Sequence, residues 1–382
     1  MRAGRSGRLS MWLGRVRAES PLSAVSETTR AFYRFVRAEP SACADSKMAT
    51  MATSAANLKE PVDPGHGLRS YSSQLRGPAG LVREVVGLLR AHGGDPGPAV
   101  AATLEHLRAL EDFAVSTTGL PLFDLEMLDV GAGQRLMQMA YFTAHGNRVV
   151  GVDRDVIVQG LDVAGYVRMA RSNGLRRVAK TAGRKLLGVD ARYHAALRRE
   201  LGVAADPGPL VVHQMDATEL AFADETFDAV YSLTVLQYIA DPARALAEMA
   251  RVVRPGGIVF TQFLPFTGVI GSFDVGALGG STSLPDWSHL RVQLAPHVRE
   301  AAYLNRLRIP EWRALFEGTM PGCVFVPDDS RREELAPRAR RLQEAGELRE
   351  YEIDELVASE VRVAWRKPIA TPDDEPPGRA RP

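Results

Sequence analysis

One stretch constrains this chain more than any other: residues 125–153, LEMLDVGAGQRLMQMAYFTAHGNRVVGVD. Met127, Leu128 and Val130 form a short apolar run that stops at Gly131-Ala132-Gly133. A helical pattern follows from Gln134 to about Ala144, and Gly146-Asn147 ends it. Val149, Val150 and Val152 make a second β-branched run that closes on Asp153. The reading is strand, glycine turn, helix, strand. A glycine turn at a helix N-terminus lets a ligand approach bare backbone and exposed N–H groups. An acid about 20 positions further on, at the end of the next strand, is placed to accept hydrogen bonds from ribose hydroxyls. As a strand-end acid, Asp153 is expected to be exposed and to contribute little to folding. The spacing points to a nucleoside-containing cofactor.

The rest of the chain repeats the alternation. Leu210-Val211-Val212 begins a third strand ending at Met215-Asp216-Ala217, and Phe227–Ser232 is a fourth. Asp241-Pro242 is an N-cap followed by proline at the first helical position. That helix buries Leu246, Met249 and Val253, places Arg251 and Arg254 in its last turn, and ends at Pro255-Gly256-Gly257. Ile258–Phe263 is a fifth strand, Cys323–Val326 a sixth and Val361–Trp365 a seventh, with a charged helix at 331–347 between the last two. Residues 287–316 read as helical, with aromatic and basic side chains. Strands alternating with helices predict a parallel sheet covered on both faces.

Upstream, two helices are predicted: 78–91, with Leu81, Val85, Leu88 and Leu89 on one face, and a second from Pro98, with Val100, Leu104, Leu107, Leu110 and Ala114. We expect them to cap the cofactor site. Residues 1–57 are rich in Arg, Ala and Ser and read as an organelle transit peptide or as an upstream start, with translation beginning at Met48 or Met51; the second reading is preferred. The expected organisation is an extension at 1–57, a helical cap at 58–120, the catalytic α/β domain at 121–367 and a solvated tail at 368–382. The α/β domain carries a basic helical insertion at 160–205 and a lid at 266–320.

Composition removes several classes of function. Two cysteines, Cys43 and Cys323, exclude a disulfide framework and a cysteine-based zinc site. No apolar run approaches the roughly 18 residues of a membrane span, and the net charge of +1 gives no global attraction to nucleic acid. The expected location is cytoplasmic. The exception to neutrality is local: residues 168–199 hold ten Lys or Arg and one acid, Asp190. This is read as a solvated face whose stems cover apolar surface; the alternative is a landing site for nucleic acid or another anionic substrate.

The ordered set Asp129-Val130-Gly131-Ala132-Gly133, Asp153, Met215-Asp216-Ala217, Phe227–Ser232 and Arg254-Pro255-Gly256-Gly257 resembles the motifs of class I S-adenosylmethionine-dependent methyltransferases. The resemblance covers roughly residues 125–263 and the last strand. It implies a Rossmann-like seven-stranded sheet of order 3-2-1-4-5-7-6, with the last strand antiparallel and helices on both faces. It implies S-adenosylmethionine as cofactor, contacted by Asp129, Gly131, Ala132, Gly133, Asp153, Arg154, Asp216, Ala217 and Ser232. Many members have a further glycine where this chain has Arg135. The competing reading, a nicotinamide-dependent dehydrogenase, needs a third glycine where Leu136 stands.

After the fourth strand the chain reads Ser232-Leu233-Thr234-Val235, without the proline-aromatic turn of amine methyltransferases acting on adenine or glutamine amides, and without the Pro-Cys of cytosine C5 enzymes. The resemblance is to the branch that methylates small molecules at O, N or C. Nucleic acid is an unlikely partner on this reading; a nucleic-acid methyltransferase using 168–199 and a non-catalytic binding protein are the alternatives. Two residues are candidates for the acceptor side. His289 could take a proton from an acceptor hydroxyl, although a packing or helix-capping role is preferred for it. Tyr238 could line the transfer site. No metal site is expected.

Overall fold

The computed structural model describes residues 94–160, 162–202, 210–274, 284–298, 300 and 302–369. The extension at 1–57, the helix expected at 78–91, the middle of the expected lid and the tail beyond Ile369 lie outside the described residues. The chain divides into units 1–47 and 48–382, and every described residue belongs to the second.

Seven strands form one sheet: β1 (Glu126–Val130), β2 (Arg148–Asp153), β3 (Val211–Gln214), β4 (Phe227–Leu233), β5 (Val253–Phe263), β6 (Val324–Pro327) and β7 (Val361–Arg366). Their order is β3-β2-β1-β4-β5-β7-β6. The first five run parallel, and β7 lies antiparallel to both β5 and β6. The central strands read as near-continuous apolar runs because both faces are covered. On one face, Leu128, Val130, Val230, Val259 and Phe263 pack with α6 (Pro242–Val252) and α7 (Ile309–Thr319). Trp312 sits 4.4 Å from Phe263, ring centre to ring centre.

The other face belongs to α1 (Gly97–Thr118), α2 (Met137–Ala144) and the far end of the insertion. The α1 stripe Val100, Leu104, Leu107, Leu110 and Ala114 is fully buried against the sheet side of Met127, Tyr231, Phe260 and Ala364. This helix packs on the sheet and lines no part of the cavity at the strand ends; the other helix of the expected cap lies outside the described residues. The insertion consists of α3 (Val163–Asn173), α4 (Leu175–Leu186) and α5 (Val189–Leu201). Asp162 caps α3 by accepting from the amides of Ala164 and Gly165, and Gly174 and Gly188, both at positive φ, set the two breaks.

Three local expectations are corrected. The helix after the glycine turn starts at Met137, not Gln134, because Leu136 is held left-handed at φ 53°. Helix α6 ends at Val252, so Arg254 belongs to β5, where it pairs with Asp228 at 2.6 Å instead of closing a helix. Residues 287–308 are not a helix. Short 3-10 turns at 288–290 and 295–297 are followed by extended chain, and α-helix begins only at Ile309. Trp287 and Arg306 at positive φ and the proline at 296 interrupt any longer helix. A charged helix, α8 (Arg332–Glu344), and the short α9 (Ile353–Val357) precede β7.

Candidate active site

The sheet order reverses between β1 and β4, and open α/β sheets bind ligands at the carboxyl ends of the strands flanking such a switch point. A cavity of about 810 Å³ opens there. Its floor is the loop after β1, its sides are the ends of β2 and β3, and the 234–241 turn closes it opposite.

The loop is shaped by its glycines. The amides of Gly131 and Ala132 both donate to the Val152 carbonyl, at 2.8 and 3.0 Å, which folds the loop across the end of β2. Gly131 sits at φ 91°, and a Cβ there would lie 2.3 Å from the Val235 side chain, so only glycine lets the β1 and β4 loops meet. Gly133, at φ 65°, is different: an added Cβ would find nothing nearer than 4.0 Å. The space in front of Gly133 is therefore a cradle for a ligand and not a packing contact.

Asp153 lines this cradle and is not the exposed strand-end acid expected. Its Oδ2 accepts from the Gly133 amide and its Oδ1 from the Asp155 amide, each at 2.8 Å. Burial pushes its carboxyl up to about 6, against the pull of those two amides. Asp155 is in turn held by Asn173 at 2.6 Å and Arg177 at 2.7 Å. Asp216 also lines the cavity, at the end of β3, and its Oδ1 accepts from the Thr218 amide and hydroxyl.

Of the residues singled out in the sequence, Gly131, Ala132, Gly133, Asp153, Arg154, Asp216, Ala217 and Tyr238 line this cavity. Asp129 and Ser232 do not; both lie buried beneath the loop. The Ser232 hydroxyl donates to the Val130 carbonyl at 2.9 Å and ties the ends of β1 and β4 together. Asp129 is pushed up to about 8, chiefly by burial, with the nearby Tyr231 hydroxyl pulling down and the Asp153 charge pushing up. Neither Asp129 Oδ2 nor the Tyr231 hydroxyl meets hydrogen-bond geometry with another group. His289 is also elsewhere. Its Nε2 engages the Phe266 carbonyl at 2.7 Å, and burial pushes its pKa down to about 4, so it is a packed histidine outside the cavity.

Other lining residues carry no motif and were not anticipated. Thr234, at φ 61°, is fixed through its amide and hydroxyl to Gln262, at 2.7 and 2.8 Å. Arg177, Lys180 and Arg184 line the cavity from one face of α4, and Arg135 lines it from the end of the glycine loop. The sequence marked 168–199 only as basic; nothing in it said that Arg177, Lys180 and Arg184 turn toward a cavity, and the solvated-face reading fails for them. Among the described residues no cluster of His, Cys, Asp or Glu could hold a metal ion, and no helix is long and apolar enough to cross a membrane.

Comparison with known proteins places residues 170–261 in a family described as a methyltransferase domain. A curated relative, phosphatidylethanolamine N-methyltransferase of Cereibacter sphaeroides, is 33% identical over 140 residues, covering 36% of this chain and 61% of the relative. The demethylmenaquinone methyltransferase of Renibacterium salmoninarum is 51% identical over 49 residues, covering 13% of this chain and 21% of its own. The chain thus spans at most 61% of the length of these two relatives. Among solved structures, an S-adenosylmethionine-dependent methyltransferase from Mesorhizobium loti is 17% identical, with a TM-score of 0.37, covering 72% of this chain and 99% of that one.

Proposed function

The chain belongs to the class I S-adenosylmethionine-dependent methyltransferases, and from that premise we propose that it transfers a methyl group to a small-molecule acceptor bound in the cavity at the β1/β4 switch point. The observation that carries the reading is the cradle in front of Gly133, in a cavity that Asp153 and Asp216 line from the ends of the next two strands, β2 and β3. The two curated relatives take their names from phosphatidylethanolamine and demethylmenaquinone, which favours a small acceptor over nucleic acid.

When bound, S-adenosylmethionine supplies a methyl group already activated on a sulfonium sulfur. The protein's work is therefore alignment and exclusion of water, and such positioning is worth on the order of 7–11 kcal/mol. The open space in front of Gly133, bounded by the loop that these amide bonds fold, receives the cofactor. Asp153 accepts from the ribose hydroxyls, using the lone pairs its two amide bonds leave over. Asp216 faces the adenine amino group, and Arg154 and Ala217 line the nucleoside side. Gly131 against Val235, and Ser232 beneath them, hold the two loops at a fixed separation. On the acceptor side stand Thr234, Tyr238 and Tyr303. Tyr238, whose ring lies 5.4 Å from that of Phe273, presents an aromatic wall. Among the described residues no histidine lines the cavity.

The test is transfer of label from methyl-labelled S-adenosylmethionine to a panel of small amines, phenols, quinols and phospholipids, beside RNA and DNA. Labelled small-molecule product is expected. Label appearing only in nucleic acid would replace this acceptor class, and no consumption of cofactor with any acceptor would favour a binding protein.

A further inference from the structure

The wall of the cavity formed by α4 and the end of the glycine loop is cationic, and one of its cations is incompletely satisfied. Arg184 is only 9% exposed. Its Nε pairs with Asp190 across the Gly188 turn at 2.8 Å, yet its Nη2 is buried with no hydrogen-bond partner. A buried charged donor without an acceptor is costly. Because Arg184 lines the cavity, an acceptor can reach this wall from inside it. A second guanidinium, Arg135, lines the same cavity from the end of the glycine loop and lies 5.3 Å over the Tyr193 ring. Burial lowers the Arg135 pKa, and the charge of Arg184 lowers it further. Two guanidiniums that repel each other at the edge of a cavity are stabilised together by one anion. Lys180, one turn before Arg184 on α4, lines the cavity with them. Arg177, on the same face, is engaged by Asp155 and has a different task.

We propose that Arg184, Arg135 and Lys180 form an oxyanion subsite that takes a carboxylate or phosphate group of a ligand held in the methyl-transfer cavity. The inference rests on the methyltransferase reading for the identity of the cavity. Two ligands can supply the group: the amino-acid carboxylate of the cofactor, or an acidic group on the acceptor. Fork-shaped guanidiniums suit either oxyanion. In the second case the subsite selects acidic small molecules as acceptors.

The experiment is calorimetry on the full chain and on Arg184→Gln, Arg135→Gln and Lys180→Gln. The ligands are S-adenosylhomocysteine, 5′-methylthioadenosine (which lacks the amino-acid carboxylate) and inorganic phosphate. Phosphate is titrated onto the free chain and onto the chain saturated with S-adenosylhomocysteine. Loss of a charge-assisted hydrogen bond predicts about a 10- to 100-fold weakening. If the Arg variants weaken S-adenosylhomocysteine by that factor and leave 5′-methylthioadenosine unchanged, the subsite holds the cofactor's carboxylate. If they leave both nucleosides unchanged and abolish phosphate binding to the saturated chain, it holds the acceptor's acid. Unchanged affinity for S-adenosylhomocysteine and phosphate in all three variants overturns the proposal and leaves Arg184–Asp190 as a plain tie between α4 and α5. Arg135→Gln keeps that tie intact, and circular-dichroism melts identify any variant that has lost its fold. A wild-type chain that binds neither nucleoside contradicts the methyltransferase reading. The phosphate titration of the free chain still decides the subsite.

Discussion

Asp153 is pulled two ways as pH changes: burial opposes its charge, while the hydrogen bonds it accepts favour it. It anchors the amides of Gly133 and Asp155, and in the proposed function its remaining lone pairs take the ribose hydroxyls. Asp153→Ala should weaken S-adenosylhomocysteine by roughly 30- to 1,000-fold, from about 2–4 kcal/mol of lost charge-assisted hydrogen bonding. Because two part-buried amides lose their acceptor as well, the ligand-free melting temperature should also fall. Asp153→Asn, which keeps one acceptor oxygen, should lie between parent and Ala in both measurements. The carboxyl is raised from an ordinary value of 3.8 to about 6, so between about pH 4 and 6 the folded chain holds a proton that the unfolded chain has lost. Folding stability from this group therefore declines as pH rises through that window. Cofactor affinity should do the reverse, rising to a plateau above about pH 6 as the carboxylate becomes a full acceptor. Calorimetry from pH 5 to 8 checks this. An affinity that is flat with pH in the parent, or just as steep in Asp153→Asn, would contradict the assignment.

At the scale of elements, α1 illustrates what a pattern can and cannot say. Its stripe was readable from spacing alone, and Leu104, at 1% exposure, lies in the core against the sheet. Leu104→Ala should cost about 2–5 kcal/mol of stability and leave cofactor affinity unchanged, because α1 lines no part of the cavity; chemical denaturation and calorimetry separate the two effects. What the stripe could not say is which surface it covers. The same limit applied to α4, where the stretch was legible as basic, but whether residues 177, 180 and 184 met water or a cavity depended on how α3 and α5 pack around it. The glycine turn was legible because positive φ at Gly131 and Gly133, and the close approach of Val235 to Gly131, leave a mark in composition. Asp129 and Ser232 carry the motif as clearly as Asp153 does, yet they lie under the loop. A motif records which residues the turn requires and does not separate those that face the ligand from those that support it. The stretch at 287–308 misled for a local reason. Trp287 and Arg306 take left-handed backbone angles, and Pro296, inside the 295–297 turn, lacks the amide that a continuing α-helix needs.

For the whole molecule, the strand order decides between the two nucleoside-cofactor readings. A dinucleotide-binding sheet continues 3-2-1-4-5-6 with parallel strands. Here an antiparallel β7 is inserted between β5 and β6. The loop agrees, since Leu136 stands where a dinucleotide loop has its third glycine, and it is 5% exposed and held left-handed. The strand order thus favours S-adenosylmethionine over a dinucleotide, and the cavity lined by Gly133, Asp153 and Asp216 is where we propose that it binds. The most direct measurement is titration calorimetry of the full chain with S-adenosylhomocysteine and with NADH under the same conditions. The account predicts saturable one-to-one binding of S-adenosylhomocysteine that Asp153→Ala weakens, and no heat from NADH. Tight NADH binding with no response to S-adenosylhomocysteine would contradict it.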